Sequence, residues 1–243
     1  MMVILEGKKL TKHFRGLSAL QQVSFKVEEG SITGLIGPNG AGKTTLFNLI
    51  SGMFSPDQGT TTFRGLNITR LGADRICRLG ISRTYQLIRP FLGLSILKNV
   101  LVGIYYGRNE GLSRKKAEEE AWSIIEFMDL SSKAATRADQ LNTGERKRLE
   151  MARALGTSPK LLLLDEVIAG LNPAETAAIM KKIGILREKG MTIFMIEHVM
   201  KAVMGLSDRV IVLHHGEKIA EGSPQEVSTH PRVIEAYLGE KRI

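Results

Sequence analysis

A glycine-rich segment of the chain has the composition of a phosphate-binding loop. Residues 37–44 read Gly-Pro-Asn-Gly-Ala-Gly-Lys-Thr and match the pattern G-x-x-x-x-G-K-T. Glycines allow the backbone to curl so that successive N–H groups face an anion. In this pattern Lys43 supplies a positive charge for the β- and γ-phosphates, and Thr44 supplies a hydroxyl for Mg²⁺. The predicted nucleotide-binding residues are Gly37, Pro38, Asn39, Gly40, Ala41, Gly42, Lys43, Thr44 and Thr45.

Two carboxylates follow an apolar run much later in the chain. Residues 161–164 are four leucines, and Asp165 and Glu166 come directly after them. A short continuous apolar run is typical of a strand buried on both faces. In P-loop proteins an aspartate at such a strand end holds Mg²⁺. A neighbouring glutamate can orient and deprotonate the water that attacks the γ-phosphate. We therefore predict Asp165 as a metal ligand and Glu166 as the general base.

The elements around these residues alternate between strand and helix patterns. A β-prone run at 32–36 precedes the glycine-rich loop, and a helical pattern follows it. This alternation predicts an α/β fold with a mostly parallel sheet. The first 70 residues are richer in strand signals, whereas Ser113 and the Asn172-Pro173 pair are helix-start signals. Residues 210–220 predict a hairpin in which His214 and His215 are turn residues and not ligands.

Composition excludes several classes of protein. The chain has 243 residues and one cysteine, Cys77, so it has neither an internal disulfide nor a multi-cysteine zinc site. No apolar run approaches the ~18 residues of a membrane span, and the start of the chain does not predict a secretion signal. The net charge of +9, from 34 Lys+Arg against 25 Asp+Glu, favours anionic partners. Charge alone does not choose between nucleotides, nucleic acid and an anionic membrane surface.

Further segments give the chain a resemblance to the nucleotide-binding subunits of ABC transporters. Residues 84–86 resemble the glutamine loop, 141–145 the signature segment and 169–172 the D-loop, and His198 follows a β-prone run. Together with the two nucleotide motifs they occur in the family order and cover nearly the whole chain. The resemblance implies ATP and Mg²⁺ as cofactors and ATP hydrolysis as the activity.

The same resemblance implies a fold. It is a P-loop NTPase (RecA-like) core with a mostly parallel sheet, an antiparallel β-subdomain and a helical subdomain. Residues 1–243 would form a single ABC ATPase domain. Within it, residues 1–90 and 156–243 would form the nucleotide-binding core with the β-subdomain, and residues 91–155 the helical subdomain.

Individual roles also follow from the resemblance. Phe14 would stack on adenine, and Gln86 would sense the γ-phosphate and metal and connect them to membrane subunits. His198 would hydrogen-bond the γ-phosphate, acting beside Glu166. The signature segment would bind ATP held by a second subunit, either a copy of this chain or a related ATPase. Its residues are Asn142, Thr143, Gly144 and Glu145.

The chain departs from the family pattern in three places. The usual Ser-Gly-Gly-Gln of the signature is here Asn142 to Glu145, and Glu145 would repel phosphate unless it faces solvent. Val167 stands where the family has proline, and Asn172 where it has aspartate. The resemblance therefore supports nucleotide binding more strongly than contact through the signature segment.

Three segments resemble one of the two ATPases of branched-chain amino-acid importers: 78–86, 170–173 and the tail 233–239. This implies transmembrane permease partners, a second ATPase subunit and a peripheral position on the cytoplasmic face of the membrane. The segment Arg89-Pro90-Phe91 is a candidate permease contact. Two alternatives remain open: an ATPase for a lipid or other exporter, and a non-transport relative acting on nucleic acid. A single nucleotide cassette without a coiled-coil insertion or zinc cysteines argues against the latter, so no nucleic-acid partner is expected.

Overall fold

The computed structural model describes residues 2–86, 89–108 and 111–238. Within these ranges ten strands form two sheets, ordered β2-β1-β4-β5 and β10-β9-β3-β8-β7-β6. Gly239, the last residue of the tail segment, lies outside the described residues. The strands are β1 (Val3–Phe14), β2 (Leu17–Glu28), β3 (Ile32–Ile36), β4 (Gln58–Phe63), β5 (Leu66–Asn67), β6 (Ile81–Arg83), β7 (Leu161–Asp165), β8 (Thr192–Ile196), β9 (Arg209–His214) and β10 (Glu217–Gly222).

The helices lie between and around these strands. Two short 3-10 turns, at Ser131–Lys133 and Ala138–Gln140, add to the α-helices of the described residues. None of the helices in the described part of the chain combines the length and apolar character needed to cross a membrane. The α-helices are α1 (Lys43–Ile50), α2 (Ala73–Leu79), α3 (Ile96–Tyr106), α4 (Arg114–Phe127), α5 (Thr143–Gly156), α6 (Pro173–Glu188), α7 (Met200–Leu206), α8 (Pro224–Ser228) and α9 (Pro231–Leu238).

The second sheet is parallel except at one edge. β6, β7, β8, β3 and β9 run parallel, and β10 pairs with β9 in the antiparallel sense. β3, β7 and β8 are five-residue strands in which every residue is buried. Packing on both faces explains why these strands consist of apolar runs without alternation. The predicted α/β core with a mostly parallel sheet is therefore confirmed.

The first sheet is antiparallel throughout and packs on α1. β1 pairs with both β2 and β4 over long registers, which confirms the strand-rich character predicted for the first 70 residues. Phe47 of α1 lies 5.1 Å from Phe194 of β8 between ring centroids, and Phe25 of β2 lies 5.6 Å from the same ring. These aromatic contacts place the helix that follows the glycine-rich loop between the two sheets.

The predicted helix starts are also confirmed. The Ser113 hydroxyl accepts a hydrogen bond from the N–H of Lys116 at the start of α4. Asn172 and Glu175 form a reciprocal capping box at the start of α6, with Pro173 in its first turn. Helices α3, α4 and α5 pack together around a common apolar core. This helical layer carries the signature segment toward the edge of the parallel sheet.

Four loops meet at one edge of the parallel sheet. The adjacent strands β3, β8, β7 and β6 end at the glycine-rich loop, at Glu197-His198, at Asp165-Glu166 and at Thr84-Gln86 respectively. In parallel α/β sheets ligands bind in the crevice beyond the carboxyl ends of the strands. The topology therefore brings together segments that are far apart in the sequence.

Candidate nucleotide-binding and hydrolysis site

The glycine-rich loop is held between the first sheet and the β9–β10 turn. Gly42 caps α1 with φ of 102°. A Cβ there would lie 2.6 Å from the Ala19 carbonyl oxygen, so only glycine fits. The Gly216 N–H donates to the Ala41 carbonyl at 3.1 Å, and the Gln21 N–H donates to the Gly216 carbonyl at 2.8 Å. These contacts fix the path of the loop.

Lys43 lies inside this loop. Its ammonium donates to the carbonyls of Gly37 at 2.7 Å and Pro38 at 2.9 Å. Burial lowers the pKa of Lys43, while the carboxylates of Glu166 and Asp165 act in the opposite direction. The N-terminal end of α1 begins at the same point and adds the positive end of its dipole. The loop therefore presents N–H groups and an ammonium to a polyanion.

Asp165 has one carboxylate oxygen without a protein partner. Its Oδ2 accepts a hydrogen bond from Arg83 at 2.8 Å, whereas the buried Oδ1 has no hydrogen-bond partner. Burial raises the pKa of Asp165, and the Arg83 guanidinium counteracts this. An unpaired buried oxygen is costly, and a hard cation such as Mg²⁺ is a suitable partner for it. The residues present therefore fit a magnesium ion, although Asp165 itself does not line the main cleft.

Glu166 is held between two side chains from other loops. Its Oε2 accepts a hydrogen bond from Gln86 Nε2 at 2.9 Å. Its Oε1 lies 2.8 Å from His198 Nε2. The backbone at Glu166 is left-handed, with φ of 53°. The three residues predicted as catalytic thus meet at one carboxylate, which remains partly exposed at the mouth of the cleft.

A cleft of about 630 Å³ opens in front of the glycine-rich loop. Phe14 lies on one side of it, 38% exposed, with an edge contact to Phe54 at 5.5 Å and the Lys12 ammonium 5.5 Å from its ring centroid. The position of Phe14 is compatible with stacking on a base. The lining residues are Phe14, Leu17, Ser18, Ala19, Gln21, Asn39, Gly40, Ala41, Gly42, Lys43, Thr44, Thr45, Gln86, Glu166 and His215.

His215 lines the cleft, although the sequence predicts it only as a turn residue. It does sit in the β9–β10 turn, with φ of 46°, and its ring lies 4.1 Å from that of His214. The turn reaches the cleft because Gly216 bonds to the glycine-rich loop. The sequence would have predicted that His215 lies at the cleft only if it had also predicted that β9 pairs with β3.

The signature residues lie outside this cleft. Among the described lining residues there is none from 142–145. The Asn142 side chain accepts a hydrogen bond from the Glu145 N–H at 2.9 Å, and Glu145 accepts from the Asn142 N–H at 3.1 Å. Gly144 packs closely against the Glu175 carboxylate. The signature segment thus forms the capped start of α5 in its own chain.

From the sequence, Glu145 would repel phosphate unless it faced solvent. In the structure its side chain does not face solvent. Glu145 is buried, and its carboxylate is turned back onto its own helix, where Lys133 donates to it at 2.6 Å. Burial opposes ionisation, but the hydrogen bonds from Lys133 and Asn142 outweigh it and lower the pKa of Glu145. The negative charge is therefore offset locally.

The other two departures also have structural roles. Val167 is buried and belongs to the apolar core beneath the helical layer. The side chain of Asn172 caps α6 by accepting the Glu175 N–H at 2.9 Å. Both residues stabilise the loop between β7 and α6.

Glu150 is a buried acid that the sequence analysis did not identify. It lies in α5, and its Oε1 accepts a hydrogen bond from the Tyr85 N–H at 2.7 Å. Burial raises the pKa of Glu150 from 4.5 to about 7. This bond ties the helix of the signature segment to the loop that carries Gln86.

Stability is expected to depend on the protonation of Glu150. Because the folded-state pKa is raised, its contribution is full below about pH 4.5 and is lost as the pH rises through about 7. A rise to about pH 8.5 should cost the wild type about 3 kcal/mol of unfolding free energy relative to Glu150→Gln. Urea unfolding of both proteins at about pH 5 and about pH 8.5 measures the difference. Equal pH slopes in the two proteins would contradict this assignment, and the exposed Glu188→Gln change serves as the control.

The fold and the site together define a P-loop nucleotide-binding protein. Residues 20–169 match the family described as ABC transporter. Residues 217–242 match the one described as branched-chain amino acid ATP-binding cassette transporter. The chain belongs to the ABC transporter family of ATP-binding cassettes, and it is an ATPase of that family.

Named relatives and solved structures agree with this membership. The chain is 41% identical over 250 residues to LivG of Salmonella typhimurium, a high-affinity branched-chain amino acid transport ATP-binding protein, with 98% of each chain covered. BraF of Pseudomonas aeruginosa has the same description and is 40% identical over 98% of each chain. A nucleotide-free ATP-binding cassette from an ABC transporter is 34% identical, with a TM-score of 0.88, covering 98% of this chain and 100% of that one. A structure of an ATP-binding cassette of an ABC transporter in its ADP conformation has a TM-score of 0.87 at 34% identity, covering 99% of this chain and 100% of that one.

Proposed function

We propose that this chain is the ATP-hydrolysing subunit that powers an importer of branched-chain amino acids. The observation that carries the hydrolytic role is the meeting of Gln86 and His198 on Glu166 at the mouth of the glycine-rich cleft. The solute class is supported by the match of residues 217–242 and by the names of the relatives.

The cleft would bind ATP along the loop. The N–H groups of residues 40–44 and the Lys43 ammonium would hold the phosphates, and Phe14 would stack on adenine. Thr44, Gln86 and Asp165 would hold magnesium, which neutralises charge on the β- and γ-phosphates when bound. The positive charges of Lys43 and magnesium would thereby balance the negative charge of a triphosphate.

Glu166 would act on the attacking water. Its carboxylate accepts a proton as the water oxygen forms a bond to the γ-phosphorus, and the bond from that phosphorus to the β–γ bridging oxygen breaks to release ADP. His198 would hydrogen-bond a γ-phosphate oxygen. Both His198 and Gln86 bond Glu166 in this structure, so nucleotide binding would exchange these bonds for contacts with the phosphate.

The loop after Gln86 offers a surface for permease subunits. Tyr85 and Phe91 are exposed aromatic residues. The Arg153 guanidinium lies 4.8 Å from the Phe91 ring centroid and donates to the Arg89 carbonyl at 2.9 Å. An exposed aromatic residue a few positions after Gln86 in the sequence suits a contact that transmits ATP occupancy. We propose the segment 89–91 as this contact.

A second ATPase subunit would complete the site. The capped start of α5 presents an anion-binding helix end outside its own cleft, so it would contact ATP bound by a copy of this chain or a related ATPase. Residues 91–155 would act as the helical unit of the core formed by 1–90 and 156–243. The pair would sit peripherally on the cytoplasmic face of the membrane, beneath the permeases.

Transport by the reconstituted complex tests this proposal. The chain would be purified with candidate permease subunits, placed in lipid vesicles, and supplied with ATP and radiolabelled leucine. We expect ATP-dependent leucine uptake that excess unlabelled isoleucine reduces and excess lysine does not. ATPase activity stimulated by lipid but not by the amino acids would instead favour the exporter alternative. Salt-dependent binding of DNA or RNA without permease association would favour the non-transport alternative.

A further inference from the structure

One buried lysine joins the signature helix to the loop that carries Glu166. Lys147 of α5 is 8% exposed. Its ammonium donates to the Glu166 carbonyl at 2.9 Å and also to the Ala169 carbonyl. Burial lowers the pKa of Lys147, and nearby carboxylates, first among them Glu197, counteract this. The contact is with backbone oxygens, so it fixes the path of residues 166–169 and not a particular side chain.

The same loop is held on its other side by the residue before His198. Glu197 is 1% exposed, and its Oε1 accepts a hydrogen bond from the Ile168 N–H at 2.9 Å. Residues 166–169 are therefore restrained through their carbonyls by α5 and through an N–H by the end of β8. Three functional loops, those of the signature segment, Glu166 and His198, meet at this point.

The backbone at Glu166 needs such restraint. A φ of 53° at a residue other than glycine lies in a sparsely populated region, which persists only where the surroundings impose it. Two hydrogen bonds restrain the backbone of this residue: its N–H donates to the Ile196 carbonyl at 2.9 Å, and its own carbonyl accepts from Lys147. Without the lysine, one of these two restraints remains. The backbone at Glu166 is then less restrained, and so is the direction of its carboxylate.

We propose that Lys147 is a positioning residue that couples the location of the signature helix to the orientation of Glu166 in the same chain. The proposal rests on the proposed function, in which Glu166 is the base and the signature segment contacts ATP of the second subunit. A shift of α5 on contact with that ATP would be transmitted to the carbonyls of Glu166 and Ala169. Lys147 would thus connect the two ATP sites of the pair.

The variant Lys147→Met removes the ammonium and keeps the length of the side chain. We expect ATP turnover to fall about 10- to 100-fold with KM nearly unchanged, because misplacement of a catalytic group by about 1 Å can cost 10²-fold. The matched control is Lys182→Met. Lys182 is also 8% exposed, donates to the Phe127 carbonyl at 2.5 Å and pairs with Asp129 at 2.8 Å. It should lose stability without a comparable loss of turnover.

Two further readouts separate positioning from a general structural effect. If Lys147 acts through Glu166, the double variant Lys147→Met/Glu166→Gln should be no slower than Glu166→Gln alone. Amide hydrogen exchange at Glu166 and Ile168 should also rise in Lys147→Met, but not in Lys182→Met or within β7. Additive losses of turnover, or unchanged exchange in the loop, would overturn the proposal.

The exchange measurement does not depend on hydrolysis. If the wild type failed to hydrolyse ATP, the proposed function would fail, while loop exchange would still decide whether Lys147 restrains residues 166–169. Lys147→Gln keeps one hydrogen-bond donor and covers the case in which Lys147→Met does not fold. Its ATP turnover and its amide hydrogen exchange should lie between the wild-type values and the values expected when the contact is lost completely. Wild-type values for both would overturn the proposal as well.

Discussion

Replacing Glu166 by glutamine is expected to reduce ATP turnover by about 10²- to 10⁴-fold while ATP affinity stays nearly unchanged. The amide has the shape of the carboxylate and keeps one acceptor oxygen for its two partners in the structure, Gln86 and His198. It cannot take a proton from water, so only the chemical step suffers. Phosphate release under saturating ATP gives the turnover, and titration with a fluorescent ATP analogue gives the affinity.

A matched variant shows whether loss of one negative charge is enough to slow the enzyme. Glu188 lies at the end of α6 and is exposed, so Glu188→Gln makes the same chemical change away from the cleft. It should hydrolyse ATP at the wild-type rate. Near wild-type turnover in Glu166→Gln would remove this residue from the role of general base.

The second large effect is expected for Lys43→Ala, which should severely weaken ATP binding. Loss of one partner from a buried charge pair costs about 2–5 kcal/mol, which corresponds to a weakening of about 30-fold to several thousand-fold. Lys43 is buried within the loop. Water therefore cannot readily compensate for the positive charge that the variant lacks. Titration with the fluorescent ATP analogue measures the change.

Two checks accompany this variant. The ammonium also bonds two loop carbonyls, so thermal unfolding must show that Lys43→Ala is folded. Lys181→Ala, an exposed lysine of α6, removes the same charge from the surface and should bind ATP normally. Wild-type affinity in a folded Lys43→Ala protein would be incompatible with the assigned phosphate loop.

Helix α5 carries more of the site than its signature segment suggests. Glu150 holds the loop of Gln86, and Lys147 holds the loop of Glu166. With Glu145, they are the buried ionisable residues of a helix whose other inner positions, such as Leu149 and Ala152, carry no charge. Burying ionisable groups in one helix is costly unless each has a hydrogen-bond partner. For Lys147 and Glu150 these partners are the backbones of the two loops.

Local sequence patterns predict much of the structure of this protein. The capping residues Ser113 and Asn172, the apolar runs of β7 and β8, and the glycines of the phosphate loop act within a few residues of their own positions. Their structures therefore follow from neighbours along the chain. The sequence of helix α3 is ambiguous because its many β-branched and aromatic residues are also typical of strands, and it includes a glycine.

What the sequence alone determined was the chemistry available: a phosphate loop, a strand ending in two carboxylates, and Gln86 and His198 by resemblance. Which of these groups touch depends on the tertiary structure. His215 reaches the cleft, Glu145 is paired with Lys133, and Lys147 and Glu150 support the loops because of where the strands and α5 lie. The order β3-β8-β7-β6 and the packing of α5 against it bring together residues far apart in the chain, and no local pattern encodes such distant contacts.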